Sequence, residues 1–196
     1  PAEQSYGYGF GISTYGGVVT GGADTGWGIA VAASTQTLEP GLWSLDTFGN
    51  VLVATIANGR TYTWNSNDAA KFTTRASVNT TSFLTTLNPV ASRLTLVSPT
   101  TQHLIHFGTC TTYNDASTQD DMFIRFSNNE EINSYDVKAT NTAGTFRLQD
   151  GTKIMGALTA KETILVWTDS SLYTMKFVGA PFTFGFEQVG TNCGLI

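Results

Sequence analysis

The chain has 196 residues, enough for one well-filled core, and 41% of them are apolar. Only 13% are charged, about half the roughly 25% usual for soluble domains, and Thr, Ser, Asn and Gln supply the polarity instead. The net charge is −5 with no basic run, which argues against a protein that grips phosphate backbones. The aromatic content argues against disorder.

Residues 1–28 carry nine of the 20 glycines, interleaved with Tyr6, Tyr8, Phe10 and Tyr15. So much glycine makes regular structure costly in backbone entropy. This stretch reads either as a linker or as an extended arm whose aromatics lie on a surface. Residues 29–196 read as strands and turns. "LWSLDTFGNVLVATI" predicts two strands around a turn at Thr47–Asn50. Asn58-Gly59 predicts a type I′ hairpin turn, with "TYTW" as the return strand. "SRLTLVS", "QHLIHFGT", "DMFIRFS", "GTFRLQ", "KIMGALTAKETILVWTD" and "SLYTMKFVG" supply the further strands, rich in β-branched or aromatic residues. Within them "KIMGALTAKE" is ambiguous between helix and strand, though Gly156 and the strand-like flanks argue against a long helix. "SNDAAKFTTRA" is the best candidate for a helical turn.

Three hairpin-like units share one plan: an apolar strand, a turn or loop, then a strand ending in an aromatic residue. The closing aromatics are Trp64, Phe126 and Phe177. Repeated units of several strands predict an all-β fold of antiparallel propeller blades, as part of a propeller or of a longer chain. A β-sandwich fits the strand pattern nearly as well.

"HLIHFGTC" holds both histidines and one of the two cysteines. On a strand, residues three apart point to opposite faces, so His103 and His106 cannot chelate one metal. The expectation is that one imidazole meets strand packing and the other a loop, lumen or interface. Cys110 and Cys193 read as two free thiols. The acids Asp115, Asp120 and Asp121 lack the glycine and ligand spacing of a calcium loop, and read as loop solvation. Glu130 and Glu131 are adjacent and would diverge on a strand. "SLDTFGN" lacks the offsets of an Asp-box. No nucleophile elbow, Walker loop or dinucleotide fingerprint is present. No catalytic residue, cofactor or metal ligand is therefore nominated.

The motifs "W-S-L-D-x-F-G" (Trp43–Gly49), "NG-x-x-Y-x-W" (Asn58–Trp64), "RFSN" (Arg125–Asn128), "TNTAG" (Thr140–Gly144), "ETILVWTD" (Glu162–Asp169), "LYTMKFVG" (Leu172–Gly179), "PFTF" (Pro181–Phe184) and "NCGLI" (Asn192–Ile196) occur in this order. Together they resemble a family of tailed-bacteriophage virion proteins, the tail nozzle or tail tubular proteins. Phe126 and Tyr135 stand where that family has Trp, and Ala180 where it often has Pro. The resemblance implies a non-enzymatic, propeller-containing subunit located in the phage tail, in a ring of six copies below the portal and adaptor. It would line or close the channel through which DNA leaves non-specifically. The anchors of the blades are expected at Trp43, Trp64, Trp167, Tyr173 and Pro181. No membrane span is expected, because no apolar run approaches the roughly 18 residues one needs. An alternative from another class is a propeller that binds or hydrolyses carbohydrate, which would need two facing carboxylates beside exposed aromatics. A secreted β-sandwich adhesin, with Cys110 bonded to Cys193, is a further alternative.

Overall fold

The structure, a computed structural model, describes residues 42–68, 77–78, 87 and 89–195. The 1–28 arm and most of the helical-turn candidate after Asn65 lie outside the described residues. From Trp43 onward the chain forms one compact unit. It is all-β and antiparallel, in three four-stranded sheets.

The first sheet takes β1 (Trp43–Phe48), β2 (Val51–Ile56), β3 (Thr61–Asn65) and β4 (Ser77–Val78) in chain order. The middle sheet takes β5 (Leu94–Val97), β6 (Leu104–Phe107), β7 (Phe123–Phe126) and β8 (Gly144–Arg147), again in order. The third takes β9 (Ile154–Ala160), β10 (Thr163–Thr168), β11 (Ser171–Gly179) and β12 (Thr183–Thr191). Such meanders need only short connections between neighbours, and the antiparallel ladder permits them. The three units that repeat in the sequence are the central hairpins β2–β3, β6–β7 and β10–β11. Trp64, Phe126 and Phe177 all lie on the third strand of their sheet. Successive four-stranded meanders suit propeller blades and also suit a sandwich.

The turn between β2 and β3 differs from expectation. Its hydrogen bond runs from Gly59 N to Ile56 O at 2.9 Å, one residue earlier than a turn centred on Asn58-Gly59. Asn58 alone takes a positive φ, of 59°. Gly59 is needed for a different reason: a Cβ there would sit 2.4 Å from the Ile56 side chain. Its carbonyl also accepts from Ser92 N at 3.1 Å. A contact with the segment entering β5 thus overrides the local turn preference.

β12 is a strand that the sequence reading left out. Its alternation of Phe184 and Phe186 is diluted by Gly185, Glu187, Gln188 and Gly190. Pairing along β11 holds it in place across two irregularities in register.

The middle sheet is covered on both faces. All four residues of β6 are buried, so this strand shows no apolar–polar alternation. Ile105 and Phe107 join Ile124 and Phe126 of β7 in a core with Ile154, Ile164, Val166, Tyr173, Met175 and Phe184 of the third sheet. Leu104, on the opposite face, packs with Val97 against Phe48 and Val53 of the first sheet. The strands opening each sheet approach one another: β5 lies against β1, and β9 against β5. The closing strands β8 and β12 are bridged by a parallel stack of Phe146 on Phe186, centroids 4.1 Å apart. No helix among the described residues is long and apolar enough to cross a membrane.

Candidate functional site

β1 meets the free edge of β5 through side chains rather than backbone. Ser44 Oγ accepts from Thr95 N at 3.1 Å, and Asp46 Oδ2 accepts from Val97 N at 2.7 Å. Alternation along β1 aims both residues the same way, and an unpaired strand edge is thereby closed. Behind them runs a chain of hydroxyls, Thr61 to Thr55 at 2.8 Å and Thr55 to Thr95 at 2.8 Å. At the next joint Arg93 Nε donates to Ile154 O of β9 at 2.9 Å. Its guanidinium also pairs with Asp121 at 3.4 Å.

The polar centre of the molecule lies around β6. His103 and His106 diverge to opposite faces, as strand alternation requires. Both are fully buried, so neither reaches a lumen or a surface of this chain. Of the expected surroundings for the second imidazole, a loop is the one found, since Thr101, Thr142, Ser92 and Tyr135 all lie outside the strands. His103 lies among Phe126, Phe177 and Phe184, with centroids 6.3, 6.2 and 5.1 Å away. Its Nδ1 meets Thr101 Oγ1 at 2.7 Å and its Nε2 meets Thr142 Oγ1 at 3.0 Å. Burial lowers its pKa from 6.5 to about 4, opposed by a backbone hydrogen bond at Thr101.

His106 lies on the other face, directly across from Arg125 of β7. Its Nδ1 meets Ser92 Oγ at 2.9 Å and its Nε2 meets the Tyr135 hydroxyl at 3.0 Å. Burial, and then the Arg125 charge, lower its pKa to about 3. Arg125 donates to the carbonyls of Cys110 and Thr111 at 3.2 and 2.9 Å and lies over the Tyr113 ring at 4.0 Å. Among the described residues its Nε is buried without an acceptor, and burial lowers its pKa. Tyr113 in turn donates to the Tyr135 carbonyl at 2.7 Å. The Ser92–His106 pair has the residue types of a nucleophile and its base, but both are sealed from solvent. As it stands, the arrangement ties strands to loops.

Both cysteines are free thiols, Cys110 buried and Cys193 exposed. Burial raises the pKa of Cys110. The loop acids brace structure rather than merely face water. Asp115 accepts from Ser117 N at 2.9 Å and caps a 3-10 turn at Ala116–Thr118, and its bonds to Ser117 lower its pKa. Asp120 accepts from Met122 N at 2.9 Å and pairs with Arg147 at 2.6 Å. Glu130 and Glu131 lie in a turn instead of a strand, with Glu130 at a φ of 58°.

Two further acids escaped the sequence reading. Asp150 accepts from Ser171 Oγ and, at 2.7 Å, from Gln188 Nε2. Asp169 accepts from Thr152 N at 2.7 Å and from the Thr152 hydroxyl, which lower its pKa. Nothing local marks them, because Ser171 and Gln188 are 21 and 38 residues beyond Asp150. Among the described residues no three His, Cys, Asp or Glu side chains converge into a metal-holding group.

The five anchor candidates are scattered. Tyr173 is inside the core, and its hydroxyl accepts from Asp150 N at 2.9 Å. Trp64 on β3 and Trp167 on β10 are half-buried. Trp43 is exposed on β1, its ring 6.1 Å from Tyr62. Pro181 is exposed in the β11–β12 turn, after a cis Ala180–Pro181 bond.

No protein-family model matches the chain, and no curated protein matches it.

Proposed function

We propose that this chain is a structural component of a tailed-phage virion, of the nozzle or tail tubular kind, and not an enzyme. The observation that carries the reading is a coincidence of motif and element. "TNTAG" runs into β8, "ILVWTD" forms β10 and its turn, and "LYTMKFVG" forms most of β11. The family-like segments are thus the working parts of successive four-stranded sheets. The contacts of β5 with β1 and β9 also suit blades opening outward from a common inner edge.

In this reading the subunit acts mechanically. Rigid β-blades, in a ring of copies below the portal and adaptor, form a conduit that retains the packaged DNA and then lets it pass. The net charge of −5 serves that role, because an acidic wall repels the phosphate backbone and keeps the genome from adhering. Low charge content also suits large subunit contacts, whose centres are depleted of charged residues. Electron microscopy of the native particle carrying this chain tests the proposal. Sixfold density in a tail, containing the three sheets, is the expected outcome. A free monomer that binds glycans would sink it, and a strongly basic channel wall would remove the charge argument.

A further inference from the structure

We propose that copies of this chain associate head to tail, the outer face of the first sheet of one copy packing on the outer face of the third sheet of the next. The contact rests on the virion reading only in that copies meet in a ring. The first and third sheets cover opposite faces of the middle sheet. Each therefore turns its other face outward, one at each end of the stack. Both outward faces are apolar.

On the first sheet Ser44, Asp46, Phe48 and Val53 turn toward the middle sheet. Alternation sends Trp43, Leu45, Leu52 and Tyr62 the other way. Cross-strand register groups them, since Leu45 stands opposite Ala54 and Ala54 opposite Tyr62. Trp43, Leu45 and Leu52 are exposed, Leu45 by 65%. The outward positions of β1, β2 and β3 include no charged residue.

On the third sheet Ile164, Val166, Tyr173 and Met175 turn into the core. Leu158, Leu165 and Trp167 turn out, with Leu165 opposite Leu158 and Trp167 opposite Gly156. Leu195 lies over Gly156, its Cδ1 3.6 Å from where a Cβ would stand. Leu158 is 59% exposed and Leu195 45%. Lys176 and Glu187 share this face, opposite Thr163 and Thr174 on the neighbouring strands. An apolar centre beside a charged margin is the usual build of a protein–protein contact.

Three strands about 4.8 Å apart, each about six residues long at about 3.3 Å per residue, give a face of roughly 300 Å² in projection. A copy within a ring has two joints of two faces each, so roughly 1,200 Å² is covered around it, the lower end of the range for stable interfaces. A contact between like faces would cover one face and leave the other open. Joining two third-sheet faces would also bring two sets of Lys176 and Glu187 together. First face on third covers both with one kind of contact, and head-to-tail contacts are the kind that close into rings. The joint also repeats the way the chain stacks its own sheets, an apolar face of one against that of the next.

Sedimentation velocity on the intact chain, over a range of concentrations, tests this with one substitution on each face. Leu45→Lys and Leu158→Lys alter exposed side chains, so both variants should fold. Each should weaken self-association by roughly 30-fold or more, as the loss of a central contact does. Val137→Lys, at an exposed position in the loop after β7, should leave association unchanged. The decisive sample is an equal mixture of the two face variants. One retains an intact third-sheet face and the other an intact first-sheet face, so the mixture should form one-to-one pairs and nothing larger. A mixture that stays monomeric while the unmutated chain assembles overturns the head-to-tail arrangement. A ring that survives both substitutions overturns the contact and leaves the virion reading standing on other surfaces. A chain that is monomeric at every concentration overturns the contact. Head-to-tail association by a chain that forms no part of a tail would uphold the contact and sink the virion reading instead.

Discussion

The two joints of the middle sheet are built from different chemistry. Toward the third sheet it presents Ile105, Phe107, Ile124 and Phe126, and the joint is a broad apolar core with edge-on aromatic contacts, Phe126 to Phe184 at 4.9 Å among them. Toward the first sheet the apolar cluster is small, with Phe48, Val53, Val97 and Leu104 at its centre. Much of that joint is Ser44, Asp46, Thr55, Thr61 and Thr95, bonded side chain to side chain or to the β5 backbone. The apolar joint gains stability in proportion to the area removed from water and tolerates small adjustments of angle. The polar joint gains less per contact, but it works only in one register, since each donor has one acceptor. One sheet is therefore glued and the other is indexed.

Substitutions can break that contrast in order of size. Phe184→Ala removes a ring that touches His103, Phe126 and Phe177. It should cost about 3–5 kcal/mol in urea denaturation at pH 7, as buried Phe truncations do. Asp46→Ala leaves Val97 N without its acceptor and should cost about 1–3 kcal/mol. Asp46→Asn, which retains an acceptor oxygen, should lose clearly less, and an equal loss would mean that shape rather than hydrogen bonding holds the joint. Arg147→Ala breaks the ion pair with Asp120, in which Arg147 is 58% exposed. It should cost under about 1 kcal/mol, and less in high salt. If Asp46→Ala cost as much as Phe184→Ala, the distinction between the joints would fail.

Much of the fold was legible in the chain. Short runs rich in β-branched and aromatic residues, bounded by turn or polar residues, mark β1 to β3 and β5 to β11, because such side chains suit a pleated surface. The recurrent aromatics Trp64, Phe126 and Phe177 each fall on the return strand of a hairpin, as expected, and the structure makes that the third strand of its sheet. Alternation also foretold that His103 and His106 diverge. It could not foretell that both faces of β6 would be covered, since that depends on sheets folded from residues far along the chain. β12 was missed because two glycines and two polar residues interrupt its pattern, and its order comes from pairing with β11.

Side-chain partnerships were the least legible. Asp46 finds Val97 and Asp150 finds Gln188 across 51 and 38 residues, and no local signal announces either bond. The loop acids read as solvent-facing but cap a turn and pair with Arg93 and Arg147. By itself, then, the sequence marked most of the strands, the three central hairpins and the opposed histidines. Those follow from backbone geometry and the pattern of residues a few positions apart. Tertiary structure alone decided which strand edges are capped, which acids are braced, where the β2–β3 turn falls and which hydroxyls each imidazole meets. Each of these is set by a single donor or acceptor that the fold brings from a distant part of the chain.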